Sequence, residues 1–85
     1  MSGAENTVDI HVPDFGHGLT DALVVEWLVS VGDVVERGDV VAVLETDKSS
    51  VELMAERAGT VVEIVVGARS ITTSGSVLYK LDERR

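Results

Sequence analysis

Cysteine is absent from the 85 residues of this chain, and proline, lysine and aromatic residues are scarce. Without cysteine, the protein itself can form neither a disulfide nor a thiolate nucleophile. The three aromatic residues, Phe15, Trp27 and Tyr79, are too few to build a core, which must therefore be mainly aliphatic. Valine is abundant among the aliphatic residues and favours strands, where β-branched side chains pack well.

Basic residues are also few, because seven Lys and Arg stand against fifteen Asp and Glu, for a net charge of −8. Binding to nucleic acid or to an anionic membrane needs clustered basic side chains, so we expect neither partner. An acidic surface suits a soluble, monomeric module that meets basic partner surfaces. No apolar run approaches transmembrane length, and residues 1–6 lack the features of a signal or transit peptide. We therefore expect a cytoplasmic protein, or one of the mitochondrial matrix if a transit peptide has been removed.

The length suffices for one domain with a modest core. Short β-rich runs between closely spaced turn signals predict an all-β fold, a flattened barrel or sandwich of two four-stranded sheets. The predicted strands are 8–12, 20–29, 34–36, 40–46, 50–55, 60–66, 70–72 and 76–81. A flexible N-terminus over 1–7 and a C-terminal tail or linker start over 83–85 flank a folded domain of 8–82. Pro13 closes the first strand and begins a glycine-rich loop through Gly18.

A weak internal repeat constrains the architecture further. Residues 24–44 and 61–81 align without a gap at an offset of 37, with Gly38 matching Gly75 and apolar residues matching apolar ones. Two similar halves that cannot bury their apolar faces alone would pack together with approximate two-fold symmetry. We expect Trp27 and the aliphatic residues at the centre of the core. Lys48 would correspond to Arg85, which predicts the lysine turn at one pole and the chain termini at the other.

Of the two lysines, Lys48 is the candidate for chemistry. Lys80 lies within a predicted strand, where alternation turns it towards solvent. Lys48 lies between two strong strands, beside the small polar residues Asp47 and Ser49. The simplest interpretation is a solvated hairpin lysine. An exposed amine at a rigid apex with small neighbours would equally suit a covalently attached swinging arm. Asp-Lys is not one of the pairs that strongly favour a two-residue hairpin, so the turn type stays open.

Residues 45–49, Glu-Thr-Asp-Lys-Ser, resemble the Glu-Thr-Asp-Lys-Ala signature of lipoyl domains from 2-oxo acid dehydrogenase complexes. Gly32 stands sixteen residues before Lys48 and Gly59 eleven after it, as in that family. Residues 12–20 resemble the family's opening Pro-Asp-Ile-Gly-Glu-Gly-Leu segment, although His17 stands where glutamate is usual. The similarity covers about residues 8–82 and is closest to the dihydrolipoamide acyltransferase component. Ser49 replaces the usual alanine, a change too small to block modification.

The resemblance implies that Lys48 carries lipoic acid as an amide. It implies a ligase or lipoyl transferase that attaches the group, and a thiamine-diphosphate-dependent decarboxylase that acylates it. An acyltransferase catalytic domain and dihydrolipoamide dehydrogenase would be the further partners, the carrier itself being non-catalytic. The family also associates the positions of Glu45 and Gly32 with recognition by the lipoylating enzyme. Asp47, Ser49 and Gly59 complete the expected recognition and turn residues.

One segment departs from the family pattern. Residues 67–71, Gly-Ala-Arg-Ser-Ile, lack the usual Gly-Asp turn, which predicts an irregular loop near 67–75. The loop belongs to the half that has no attachment lysine, so it places no site residue in doubt.

Alternative functions remain at this point. A biotinyl carrier shares the swinging-arm logic, but its lysine usually lies between two methionines, and here the nearest is Met54. A free-standing carrier or a plain interaction module is also compatible with the sequence. An independent enzyme is not supported, because His11 and His17 have no evident nucleophile or acid partner. Two histidines without cysteine likewise make no recognisable metal site.

Overall fold

A computed structural model describes residues 7–14 and 21–83 of the chain. These residues form eight strands. The strands are β1 (Thr7–His11), β2 (Asp21–Trp27), β3 (Val34–Val35), β4 (Val40–Glu45), β5 (Ser50–Met54), β6 (Gly59–Ile64), β7 (Ile71–Thr73) and β8 (Val77–Asp82). All eight predicted strands are thus present. Residues 15–18 of the predicted glycine-rich loop, residues 1–6 of the predicted flexible N-terminus and residues 84–85 of the predicted tail lie outside the described residues. Thr7 already belongs to β1.

The strands form two four-stranded antiparallel sheets, in the orders β1-β8-β6-β3 and β5-β4-β2-β7. The first half of β2 alternates between core and surface, as a half-buried strand does. Ala22 and Val24 are buried, whereas Asp21 is exposed and Leu23 is only partly buried. The predicted all-β fold of two four-stranded sheets is therefore confirmed.

The predicted repeat is present as a detailed two-fold relation between the sheets. It exchanges β2 with β6, β3 with β7, β4 with β8, and β5 with β1. The pairing of β2 with β4 shifts register at Val25, and that of β6 with β8 shifts at the equivalent Val62. An isolated β-bulge could arise anywhere, but the same bulge in both halves means that each half repeats one backbone design.

The turns follow the same relation. The amide of Gly32 donates to the carbonyl of Val61 at 2.7 Å, and the amide of Arg69 donates to the carbonyl of Val24 at 2.6 Å. Gly32 has a φ of 100° and Arg69 a φ of 72°, both in the left-handed region. The prediction of an irregular loop over 67–75 was therefore wrong. Arg69 adopts the conformation that its equivalent glycine adopts, so the turn persists without the usual Gly-Asp pair.

The centre of the core differs from the sequence prediction. Tyr79 is fully buried, whereas Trp27 is only partly buried and packs against the core from its side. The two rings meet edge to face, with centroids 5.6 Å apart. The indole N–H of Trp27 donates to the carbonyl of Val66 at 2.9 Å, which keeps the ring at the sheet margin. A large indole with a polar edge is harder to enclose completely than the smaller phenol.

The lysine turn and the described end of β8 lie at opposite poles, as the repeat predicts. β5 starts at Ser50, beside the turn, and runs away from it towards Arg57. The Arg57 guanidinium Nε lies 2.9 Å from the carboxylate of Glu83. Thr7 pairs with Asp82, so the start of β1 lies at this same far pole. In the described part of the chain, no helix is long and apolar enough to cross a membrane.

Candidate functional site

Lys48 lies at the tip of the β4–β5 hairpin. Glu45 pairs with Ser50, and beyond this pair the amide of Thr46 donates to the carbonyl of Ser49 at 2.9 Å. Asp47 and Lys48 are thus the two residues at the apex, and both are exposed. Lys48 is therefore an exposed residue at the tip of the hairpin.

The hairpin has neither of the common two-residue turns. A type I′ turn needs positive φ at both apex residues, and a type II′ turn needs it at the first. Arg69 is the only non-glycine residue with positive φ in the described ranges, so Asp47 and Lys48 have negative φ. Another interaction must therefore stabilise the turn.

The hydroxyl of Thr46 supplies that interaction. Its Oγ1 accepts hydrogen bonds from the amides of Lys48 and Ser49, each at 3.3 Å, and donates to the carbonyl of Ser49 at 3.1 Å. Sequence reasoning quoted Thr46 only as part of the family signature and gave it no role. The available signal was a threonine two residues before the apex lysine, because Ser and Thr hydroxyls commonly bond to amides further along a turn.

The strands beneath the hairpin make its position rigid. β4 is a central strand, and its Val41, Ala42 and Leu44 are fully buried. Replacing any of these by a smaller residue would leave a cavity, because protein interiors are close-packed. The lysine is thus an exposed side chain on a closely packed base, as a covalently attached arm requires.

The other lysine, Lys80, is restrained by charged neighbours. Its ammonium lies 3.9 Å from the carboxylate of Asp9 and 3.8 Å from that of Glu63, on the two strands that flank β8. Lys80 is half-buried in the middle of a sheet rather than at a tip. An enzyme that must enclose a lysine amine can reach Lys48 far more readily.

The structure brings together only some of the residues that the sequence singled out. Asp47, Ser49 and Glu45 surround Lys48, and all three are exposed. Gly32 and Gly59 are not at this pole. Gly32 lies in the β2–β3 turn and bonds to Val61 in the other sheet, and Gly59 pairs with Val35 in that same sheet.

Gly59 has a packing role in this position. A Cβ added there would lie 2.7 Å from the carbonyl oxygen of Asp82 and 3.4 Å from the Cβ of Leu81. Backbone cannot yield to such a contact, so only glycine lets β6 approach β8 this closely. The positive φ of Gly32 likewise explains why a glycine stands at that position, without any role in recognition.

Beside the hairpin, one row of paired residues crosses the outer face of the sheet. Ser50 pairs with Glu45, Glu45 with Leu23, and Leu23 with Ile71. Directly paired residues point to the same face, so these four side chains lie side by side. Ile71 is 65% exposed, and Leu23 is partly exposed. Leu23, Ile71, Glu45 and Asp47 border a shallow depression of about 230 Å³.

Other chemistry is not supported by the geometry. Within residues 7–14 and 21–83, no group of three His, Asp or Glu side chains could hold a metal ion. His11 is exposed on β1, and its Nδ1 lies 2.9 Å from the carbonyl of Gly75. His17, the other candidate, lies outside the described residues.

Comparisons with known proteins agree with this geometry. Residues 8–81 match the family model of biotin- and lipoyl-attachment domains, described as "Biotin-requiring enzyme". The dihydrolipoyllysine-residue acetyltransferase component of the pyruvate dehydrogenase complex from Staphylococcus aureus is 36% identical over 74 residues. The corresponding protein from Staphylococcus epidermidis is 35% identical over the same length. These matches cover 87% of this chain but only 17% of each relative.

A solved structure resembles the chain over nearly its whole length. The lipoyl domain of the 2-oxoglutarate dehydrogenase complex from Azotobacter vinelandii is 35% identical and superposes with a TM-score of 0.75. The alignment covers 92% of this chain and 99% of that domain. The likeness therefore extends over a complete domain in both fold and sequence.

Proposed function

Because this chain belongs to the lipoyl domains of the biotin- and lipoyl-attachment family, we propose that it presents Lys48 for amide attachment of lipoic acid. The exposed amine at the tip of a rigid hairpin is the observation that carries the proposal. The domain would then act as a swinging arm between the active sites of a 2-oxo acid dehydrogenase complex. It is a carrier and has no catalytic function of its own.

The residues around Lys48 fit such a group. Asp47 and Ser49 are small and exposed, so neither blocks an arm that extends from the amine. For attachment, the Lys48 nitrogen loses a proton and bonds to the carboxyl carbon of ATP-activated lipoate, from which AMP departs. When attached, lipoic acid supplies a disulfide that carries acyl groups and electrons, whereas the chain supplies position and recognition.

The partners follow from the same proposal. A lipoate ligase or lipoyl transferase would load Lys48, and a thiamine-diphosphate-dependent decarboxylase would acylate the loaded arm. An acyltransferase catalytic domain and dihydrolipoamide dehydrogenase would complete the cycle. The chain spans 17% of the length of the acetyltransferases that it matches, and we propose that it serves within a longer acyltransferase of this kind.

Coexpression with a lipoate ligase tests the proposal by intact mass. We expect one added lipoyl group in the wild type and in Lys80→Arg, and none in Lys48→Arg. Lys80→Arg is a matched control, because it changes the other lysine and leaves the charge unaltered. Incorporation of biotin instead, or a lipoyl group that persists in Lys48→Arg, would contradict the assignment.

A further inference from the structure

The two-fold relation allows the two poles to be compared residue by residue. At the Lys48 pole, the outer row is Ser50, Glu45, Leu23 and Ile71. At the far pole, the equivalent row is Thr7, Asp82, Thr60 and Val34. The rows share an acidic residue in second place and an exposed β-branched residue at the edge. They differ in third place, where the Lys48 pole has a leucine and the far pole a threonine.

This difference gives the Lys48 pole a directly paired apolar contact that the equivalent row at the far pole lacks. Leu23 and Ile71 are directly paired neighbours, so their side chains form a continuous apolar pair. At the far pole, Val34 is 70% exposed, but its paired neighbour is Thr60. Since Thr60 shows that threonine is compatible with this position of the fold, folding does not require leucine at residue 23.

The apolar pair is close to the attachment lysine. Leu23 is paired with Glu45, the last residue of β4, and Lys48 follows three residues later. Neighbouring strands are about 5 Å apart, so Ile71 lies roughly 10 Å from the lysine-bearing strand. An enzyme that encloses the Lys48 amine must also cover surface at this distance.

The charges beside the pair indicate the chemistry of the surface that would cover it. Glu45 and Asp47 border the same depression as Leu23 and Ile71. Both carboxylates are exposed, and the whole chain carries a net charge of −8. An apolar contact with an acidic border fits a partner surface with an apolar recess and Arg or Lys at its rim.

From this asymmetry we propose that the Leu23–Ile71 pair is the apolar anchor by which the lipoate-attaching enzyme holds this domain while it modifies Lys48. The inference rests on the proposed function and adds to it a pair of residues that determine recognition. Leu23 and Ile71 act by positioning the domain and do not touch the reacting atoms. Glu45 and Asp47 guide the approach of a basic rim.

Initial rates of lipoylation of the 85-residue chain by a lipoate ligase, with lipoate and ATP, test the inference. The informative variants are Leu23→Thr, which copies the far pole, and Ile71→Thr, which retains a β-branched residue in the edge strand. Each should lower kcat/KM about five-fold or more, mainly by raising KM, as the loss of an anchor residue does. The kcat/KM of the matched control, Val34→Thr, should stay within about two-fold of the wild-type value. This substitution removes a similarly exposed apolar residue, but at the far pole.

A second readout separates recognition from folding and from chemistry. The Lys48→Arg chain cannot be modified but retains the docking surface, so it should competitively inhibit lipoylation of the wild type. Adding Leu23→Thr or Ile71→Thr to it should weaken that inhibition by the same factor as the change in KM. Thermal unfolding of each variant should remain cooperative, which shows that the folded domain is being compared.

The outcomes separate this inference from the proposed function. If the wild type is lipoylated at Lys48 but Leu23→Thr and Ile71→Thr match Val34→Thr in both assays, the anchor is wrong and the carrier function stands. If kcat falls while KM and the inhibition constant are unchanged, the pair does not hold the enzyme, and the inference is overturned. If the wild type accepts no lipoyl group, both proposals fail.

Discussion

Arg69 occupies in the second half of the chain the position that Gly32 occupies in the first. Each amide donates to the carbonyl of the equivalent residue in the opposite sheet, Val24 for Arg69 and Val61 for Gly32. Both residues have positive φ, a region that is unfavourable for a side chain with a Cβ. The same turn is thus built once with a suitable residue and once at a conformational cost.

Substitutions at these two positions should change the free energy of unfolding in opposite directions. Arg69→Gly should raise the free energy of unfolding by about 0.5–1 kcal/mol, since relief of the left-handed strain exceeds the added flexibility of the unfolded chain. Gly32→Ala should lower it by about 1–2 kcal/mol, although no atom lies within 4 Å of the added Cβ. Urea denaturation of both variants measures the two changes. Equal destabilisation by both would show that the Arg69 side chain makes a compensating interaction.

Tyr79 should make the protein sensitive to alkaline pH. Its hydroxyl is buried without a hydrogen-bond partner among the described residues. Burial, and to a lesser degree the Glu56 carboxylate, raises the pKa of Tyr79 above its ordinary value of 10.0. Above pH 10 the unfolded chain loses this proton while the folded protein keeps it, so the free energy of unfolding falls as pH rises from there towards the folded pKa.

Tyr79→Phe isolates this effect. The variant should equal the wild type or exceed it in stability by up to about 1 kcal/mol at pH 8, because it removes an unsatisfied buried hydroxyl. Its advantage should grow between pH 9 and pH 11, since it has no phenol to ionise. Urea midpoints measured across this range give the comparison. A constant difference between the two proteins at every pH would refute the titration of Tyr79 as the cause.

Thr46 should hold the lysine hairpin in one ordered conformation. Thr46→Ala removes the hydroxyl that bonds to the amides of Lys48 and Ser49, at a cost of about 1 kcal/mol. Amide hydrogen exchange at residues 48 and 49 should become faster, and the KM for lipoylation should rise because the lysine is less well positioned. Thr46→Ser is the matched control and should preserve both properties. Unchanged exchange in Thr46→Ala would mean that the strands alone hold the turn.

Much of the fold could be predicted because its signals are local. Alternating apolar residues and turn-forming glycines located all eight strands, and the 37-residue repeat predicted their two-fold relation. The position of Lys48 between two strong strands placed it on a hairpin without any knowledge of the rest of the chain. The negative charge and the lack of cysteine led in the same way to the expectation of no nucleic-acid or membrane partner and no thiol chemistry.

The tertiary structure decided which residues meet across the fold. Leu23 and Ile71 form one surface only because β2 pairs with β7, and Gly59 is required only because β6 packs closely on β8. The burial of Tyr79 rather than Trp27, and the left-handed turn at Arg69, likewise depend on the opposite sheet. Strand periodicity is a property of neighbouring residues, whereas strand order and close approach depend on contacts between residues far apart in the chain. The sequence alone therefore determined the fold class and the family and singled out Lys48 as the candidate, and the packing of the two sheets determined the surface on which that lysine is presented.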